Sequence, residues 1–173
     1  MKQLFLDIST AIETVEAMRW VDFDLGQLEN PDTQGVSYPC ALISFSAGTF
    51  IDTSNDLQQG ELTINIRLAF NVHERTHSKT KAARRTVGLA HLDIIKLVHN
   101  QLQGLSGEDY EPLTRSGFTT EPRADYRVYA LTYSATVNDD LTDPEDENPN
   151  VTTYQPWSDL RDDLNFCHNT EIE

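Results

Sequence analysis

The residues with the clearest chemical potential are two histidines and a glutamate in the segment His73-Glu74-Arg75-Thr76-His77. Their order matches the HExxH pattern of zinc peptidases, in which the histidines bind one metal from a single helical face and the glutamate acts as base. That mechanism requires a helix, whereas the residues just before this segment alternate as a strand does. We therefore interpret the segment as a solvated turn and predict no metal or other cofactor. A zinc-dependent hydrolase using these residues is kept as the less favoured alternative.

The rest of the chain offers little catalytic chemistry. Asp93 and His99 are the candidates for a third zinc ligand, but neither belongs to a supporting pattern. There is no GxSxG motif, and no glycine-rich phosphate loop such as GxGxxG or GxxxxGK. Cys40 and Cys167 form neither a disulfide framework nor a metal knuckle, so we interpret both as reduced thiols. The sequence predicts a protein that is not an enzyme.

Five cations follow one another closely in this acidic protein: Arg75, Lys79, Lys81, Arg84 and Arg85. Several of them fall at the expected start of a helix, where exposed cations oppose the helix dipole at a cost of about 0.3–1 kcal/mol each. A local rule broken in this way suggests that the charges serve another purpose. Three interpretations are open: solvated charge, contact with a phosphate backbone, or contact with an acidic segment of a neighbouring subunit.

An alternating strand and a long amphipathic helix flank this region. The strand spans residues 61–72 and places these apolar residues on one face: Leu62, Ile64, Ile66, Leu68, Phe70 and Val72. The helix is predicted at about residues 80–103, with this buried stripe: Ala83, Val87, Ala90, Ile94, Val98 and Leu102. Ser78 or Thr80 can cap its start, and Gly104 follows its end. The two apolar faces are expected to pack on each other.

The other elements complete a two-layer arrangement. A first helix is predicted at 2–18, followed by a loop at 19–37 that Trp20 and Phe23 would anchor. Further strands are predicted at 38–46, 49–53, 110–120 at an edge and 126–137 in the sheet interior, with a polar turn at 54–60. Phe50 and Ile51 would lie at a hairpin tip. The predicted fold is α+β, with a mainly antiparallel sheet of about four to five strands and two helices on one face.

The charged residues are distributed unevenly along the chain. The net charge is −15, from 13 basic and 28 acidic residues, and residues 139–173 contain eleven acids and one base. We predict a compact domain at 1–138 and an extended acidic C-terminal arm at 139–173, in which Tyr154, Trp157 and Phe166 are docking anchors. No apolar run has transmembrane length and no secretion signal is present, so we expect an intracellular protein without a membrane partner.

The order of these elements resembles the tail terminator proteins of tailed bacteriophages, the lambda-like and Mu-like minor tail proteins that close the tail tube. The resemblance rests on the opening helix, the loop from Asn30-Pro31 to Tyr38-Pro39, and the apolar run 40–45. It continues through the strand 61–72, the helix 80–103 and the strand 126–137, and so covers residues 1–138. The acidic arm departs from the family pattern.

The resemblance implies a structural virion protein with no catalytic residues. It would form a homo-oligomeric ring, generally of six copies, seated on the last ring of the tail tube protein and facing a neck protein. DNA would pass the lumen without specific binding, which an acidic protein favours by repulsion. The protein would be assembled in the host cytoplasm and reside at the tail-neck junction of the virion. A neck or head-completion connector is the alternative in the same class.

Association of this kind needs surfaces that only other chains can cover. The candidate assembly contacts are Phe50, Ile51, Arg75, Lys79, Lys81, Arg84, Arg85, Tyr154, Trp157 and Phe166. We expect the acidic arm to lie on an adjacent subunit or a neighbouring ring.

Overall fold

A computed structural model describes residues 1–29, 35–46, 48–53, 57–123 and 126–140, with side chains up to residue 138. The helices of these ranges are α1 (Lys2–Glu13), α2 (Ala82–Leu89) and α3 (His91–Leu102). The strands are β1 (Trp20–Phe23), β2 (Cys40–Ser46), β3 (Phe50–Asp52), β4 (Leu57–Phe70), β5 (Thr114–Glu121) and β6 (Arg127–Asp140). Within this part of the chain, no helix is both long and apolar enough to cross a membrane.

The described strands form one six-stranded sheet in the order β1-β2-β4-β6-β5, with β3 paired to β4 off this path. The β1-β2 pair is parallel and every other pair is antiparallel. Strands β4 and β6 pair along their full lengths, so that Ile64 lies opposite Tyr133 and Ile66 opposite Leu131. The prediction of a mainly antiparallel α+β fold is confirmed, with more strands than expected.

Helices α1 and α3 cover one face of the sheet. The alternation of β4 puts its apolar residues on this face, where Ile64, Ile66 and Leu68 are fully buried. From the helices, Ile8 of α1 and Val98 of α3 join the same cluster. Each such aliphatic side chain contributes about 1.5–3 kcal/mol when it leaves water. This layer is the main core, as the alternation of the strand and the three- to four-residue spacing of the helices predicted.

A smaller apolar cluster lies on the opposite face of the sheet. Its buried members are Leu28, Cys40, Leu42, Ala69 and Val128. Burial raises the pKa of the Cys40 thiol to about 11, so the sulfur stays protonated and unreactive at neutral pH, in line with its interpretation as a reduced thiol. Cys167 lies outside the described residues.

The segment 19–37 was predicted to be a loop throughout, and this is wrong at its start. Strand β1 occupies Trp20–Phe23 and pairs in parallel with β2. Four residues are too few to show an alternation that stands out in the sequence. Phe23 also stacks on Phe5 of α1, with ring centroids 3.9 Å apart, so it does anchor this region to the first helix.

The single helix predicted at 80–103 is instead two helices that meet at Ala90. Around that residue the backbone bonds tighten to three-residue spacing, with the Ala90 N–H donating to the Val87 carbonyl and the Asp93 N–H to the Ala90 carbonyl. Helix α2 begins at Ala82, after Lys81, and has no side-chain cap, so the predicted caps Ser78 and Thr80 are wrong. Gly104 does follow α3 and has φ of +80°, the left-handed geometry expected there.

Helix α2 also contradicts the predicted stripe. Its one buried residue is Gly88, which has no side chain, while Ala83, Val87 and Ala90 are exposed. The stripe is buried only in α3, at Val98 and Leu102, with Ile94 partly buried and the neighbouring Ile95 buried beside them. Helix α2 therefore makes no contribution to the core of the described domain.

The remaining strand predictions need smaller corrections. The predicted polar turn 54–60 is wrong from Leu57 onward, because β4 begins there. Strand β5 is an edge strand, as predicted, but starts at Thr114 and is irregular between Arg115 and Gly117. Strand β6 lies between β4 and β5, which confirms its interior position, and it continues to Asp140.

Candidate assembly surfaces

The HExxH segment is not helical. Strand β4 ends at Phe70 and α2 begins only at Ala82, so 73–77 lies in the connection between them. The Nδ1 atom of His77 accepts a hydrogen bond from the Lys79 backbone N–H at 3.2 Å. Among the described residues, no three His, Cys, Asp or Glu side chains are grouped to hold a metal ion. The two histidines therefore lack the shared helical face that the zinc peptidase mechanism needs.

The predicted basic residues instead line an open depression of about 640 Å³ beside this connection. The lining residues are His73, Glu74, Arg75, His77, Lys79, Thr80, Lys81 and Arg84. Arg85 is exposed on α2 but does not line the depression. In the described ranges, no carboxylate lies within ion-pair distance of any of the five cations. Their charge is therefore available to a partner.

Gly88 fixes the connection against α2. A Cβ atom at this position would lie 3.0 Å from the Thr76 Cγ2 atom and 3.2 Å from the Glu74 carbonyl oxygen. Those distances are tighter than ordinary van der Waals contact, so the absence of a side chain lets the connection approach the helix. Arg84 of α2 lines the depression, and the exposed Val87 follows it by three residues on the same side of the helix.

We call this combined surface the basic-apolar patch. It consists of Arg75, Lys79, Lys81, Arg84 and Val87. Val87 is 64% exposed although it is an aliphatic residue in the middle of a helix. An isolated helix of eight residues is marginal in water, because most helical stability in proteins comes from packing of an apolar face. A partner that covers Val87 would supply that packing.

Phe50 and Ile51 were predicted at a hairpin tip, but they lie within a strand that pairs with β4; we keep the name hairpin tip for this second exposed apolar surface. Phe50 and Ile51 lie in β3, and Ile51 is 59% exposed. Phe50 pairs with Gly60 near the start of β4, whereas the basic-apolar patch follows the end of that strand at Phe70. At about 3.3 Å per residue, the two surfaces are separated by about 33 Å of strand. Tyr154, Trp157 and Phe166, the other predicted contacts, lie outside the described residues.

A charged cluster centred on Arg67 was not predicted from the sequence. Its guanidinium, only 16% exposed, donates two hydrogen bonds to Glu121 at 2.8 and 2.9 Å. It also donates to Asp24 at 2.9 Å and to Glu29 at 2.7 Å. Arg123 lies 3.4 Å from the same Glu29 carboxylate. The cluster ties the segment 24–29 to the middle of β4 and the end of β5, on the face opposite α1 and α3.

Hydrogen bonds within this cluster shift the pKa of two of its members, Glu29 and Arg67. Hydrogen bonding from Arg67 lowers the pKa of Glu29, and this outweighs the opposing effect of burial. Burial acts to lower the pKa of Arg67, but hydrogen bonds to Glu29, Glu121 and Asp24 more than compensate, so the pKa is raised. Glu29 and Arg67 are therefore both ionised at neutral pH, and their contact is a charge-assisted hydrogen bond.

Two histidines, the buried His91 and the half-buried His99, connect α3 to the sheet. The Nε2 atom of His91 lies 2.8 Å from the Tyr129 hydroxyl, and the Nδ1 atom of His99 lies 3.0 Å from the Tyr133 hydroxyl. Burial lowers the pKa of both imidazoles. For His91, the Gly88 backbone partly offsets this and Arg127 adds to it. Both rings are therefore held neutral where they pack.

This burial predicts an acid-sensitive stability. Because the folded-state pKa of His91 lies below its ordinary value of 6.5, the unfolded chain takes up the proton first, and stability is lost as pH falls below about 6.5. We expect His91→Gln to reduce the slope of the free energy of unfolding against pH between pH 7 and 5. The slope that remains in this variant would come from His99. Denaturant unfolding at several pH values measures the slope. The exposed variant His73→Gln is the control, and equal slopes in all three proteins contradict the prediction.

The described fold is a two-layer α+β domain. No protein family and no curated protein matches the chain. Among solved structures, it is similar to a chain of the structure described as "Virion of native gene transfer agent (GTA) particle". The TM-score is 0.38 with 12% sequence identity, over 76% of this chain and 84% of that chain. At this level, the likeness assigns neither a family nor a function to this protein.

Proposed function

We propose that this protein is a structural component of a tailed-phage-type virion, and specifically that it forms a ring that closes the tail tube and joins the tail to the neck. The observation that carries the proposal is helix α2, which buries no side chain and leaves Val87 exposed beside cations that have no ion-pair partner among the described residues. The order of elements over residues 1–138, which resembles the tail terminator proteins, supplies the particular role.

The positions of the exposed surfaces favour a ring. The hairpin tip and the basic-apolar patch are chemically different and lie at opposite ends of β4. Contacts between unlike surfaces of identical chains are heterologous, and they close into rings when the rotation between copies allows it. A two-fold dimer would instead require one surface to be complementary to itself.

The acidic composition fits a channel through which DNA moves. A net charge of −15 repels phosphates, so DNA can pass without being held. The cations of the basic-apolar patch would then face a protein partner and not the lumen.

The proposal predicts discrete oligomers and no turnover of substrates. Analytical ultracentrifugation of the purified full chain at micromolar concentration, alone and with tail tube protein, should show one defined species larger than the monomer. Electron microscopy of tails assembled without the protein should show tubes of uncontrolled length, because nothing stops subunit addition.

Persistent monomers under both conditions contradict the proposal. Mixing the protein with isolated tails and, separately, with DNA-filled heads tests its place in the virion. Binding to tails supports the tail terminator role, whereas binding only to heads reassigns the protein to the neck or head-completion class.

A further inference from the structure

We infer that the acidic C-terminal arm of one copy occupies the basic-apolar patch of a neighbouring copy. This inference rests on the self-association proposed above and names the contact that would hold adjacent subunits together. The proposed occupant of the patch is the part of the arm that follows β6, residues 141–173.

The patch offers two kinds of chemistry to that occupant. Arg75, Lys81 and Arg84 border the same depression without a carboxylate partner among the described residues. Val87 lies on the adjoining helix α2, which has no side chain packed in the core. A matching ligand therefore carries several negative charges and at least one apolar anchor within a short length.

The arm has this composition. Between Tyr154 and Phe166, the apolar residues Trp157, Leu160 and Leu164 recur every three or four positions. The carboxylates between them are Asp159, Asp162 and Asp163. Each copy thus supplies one anionic, apolar segment for each cationic, apolar patch. A phosphate backbone would satisfy only the charges and would leave Val87 exposed.

The geometry of the sheet favours a neighbour's patch over the chain's own. Strand β6 ends at Asp140, which pairs with Leu57 at the start of β4, and the patch follows the far end of β4 at Phe70. The two ends are about 43 Å apart along the strand. The thirteen residues 141–153 span at most about 43–47 Å when fully extended. An arm returning to its own patch would lose almost all conformational freedom before its first aromatic anchor, at a large entropic cost.

A charge swap in the full-length protein tests the contact. The first variant reverses the patch with Arg75→Glu, Lys81→Glu and Arg84→Glu, and the second reverses the arm with Asp159→Lys, Asp162→Lys and Asp163→Lys. Alone, each variant brings like charges together, so we expect its self-association to weaken by about 10- to 100-fold. Mixed in equal amounts, the two variants pair opposite charges between chains and should assemble again.

The control variant carries Lys2→Glu, Arg19→Glu and Lys96→Glu, three exposed sites with the same change in net charge as the patch variant. It should assemble as the wild type does. Circular dichroism shows whether each protein is folded, and sedimentation velocity measures its oligomer. If the patch reversal does not fold, the neutral triple variant Arg75→Gln, Lys81→Gln and Arg84→Gln takes its place, with a smaller expected loss.

The possible outcomes separate this inference from the proposed function. Normal assembly of both charge-reversed variants overturns the arm contact and leaves the ring intact. Loss of assembly in each variant without recovery on mixing overturns docking on a neighbouring copy. A wild-type protein that stays monomeric with tube protein overturns both proposals. A fourth outcome is tight, salt-dependent binding of a short DNA duplex that the patch reversal alone abolishes, which would assign the patch to nucleic acid instead.

Discussion

Replacing Arg67 by alanine is expected to lower the free energy of unfolding by about 2–4 kcal/mol at neutral pH. The substitution leaves the carboxylates of Asp24, Glu29 and Glu121 close together without the guanidinium that holds them. Removing one member of a buried ion pair costs about 3–5 kcal/mol, and the partial exposure of Glu29 and Glu121 reduces that figure through solvent screening. Chemical denaturation monitored by circular dichroism measures the loss.

The pH dependence of this variant provides an independent check. The pKa of Glu29 is lowered in the folded wild type. The ionised Glu29 therefore stabilises the fold above about pH 4.5, and this stabilisation is lost as pH falls through the folded-state pKa. In Arg67→Ala the carboxylates repel one another, and protonation relieves that repulsion. The stability difference between the two proteins should therefore shrink below about pH 4.5.

Two further variants show whether the loss of stability depends on the planar arrangement of the guanidinium N–H donors of Arg67. Arg67→Lys keeps the charge but cannot donate to three carboxylates in the same planar arrangement, so it should recover only part of the loss. Arg115 is another arginine in a strand, but it is exposed and forms no ion pair among the described residues. Arg115→Ala should change stability by less than about 0.5 kcal/mol. Equal stability of Arg67→Ala and Arg115→Ala contradicts a central role for the cluster.

Periodicity in the sequence was enough to predict the main core. The alternation in β4 and β6 and the three- to four-residue spacing in α1 and α3 each mark one apolar face, and those faces pack together in the fold. The same reasoning interpreted 73–77 as a turn, because a short motif is informative only in the structural context that its chemistry needs.

Contacts between distant residues could not be predicted in the same way. Arg67 meets Asp24, Glu29 and Glu121 at sequence separations of 43, 38 and 54 residues. Nothing in the pattern of a single strand identifies such partners. Strand β1 was missed for a related reason, since four residues owe their extended conformation to pairing with β2 and not to a visible alternation.

Helix α2 shows the limit of a periodic pattern. Val87 and Val98 are eleven residues apart, about three helical turns, so a continuous helix would place them on one face. The structure buries Val98 and exposes Val87, because the helix is interrupted at Ala90 and only α3 packs on the sheet. The period correctly marks Val87 as part of an apolar face, but it does not say whether that face is covered by this chain or by another.

If another chain covers Val87, a substitution at this residue should have the largest effect on assembly. We expect Val87→Asp to leave the isolated domain within about 0.5–1 kcal/mol of wild-type stability, because the site is exposed and the change mainly lowers helix propensity. If a neighbouring chain covers the site, the new carboxylate is buried against apolar groups without a partner. We expect this to weaken self-association by about 100-fold or more.

A graded series separates apolar burial from a general effect of charge. Val87→Ala removes only part of the contact and should weaken assembly by about tenfold or less. Leu6→Asp places the same charge at another exposed position of a helix, on α1, and should leave the oligomer unchanged. Sedimentation equilibrium measures association, and thermal unfolding below the association range measures the stability of the domain. Wild-type association of Val87→Asp would mean that the apolar side of α2 remains in water when the subunits assemble, and α2 would no longer support the proposed ring.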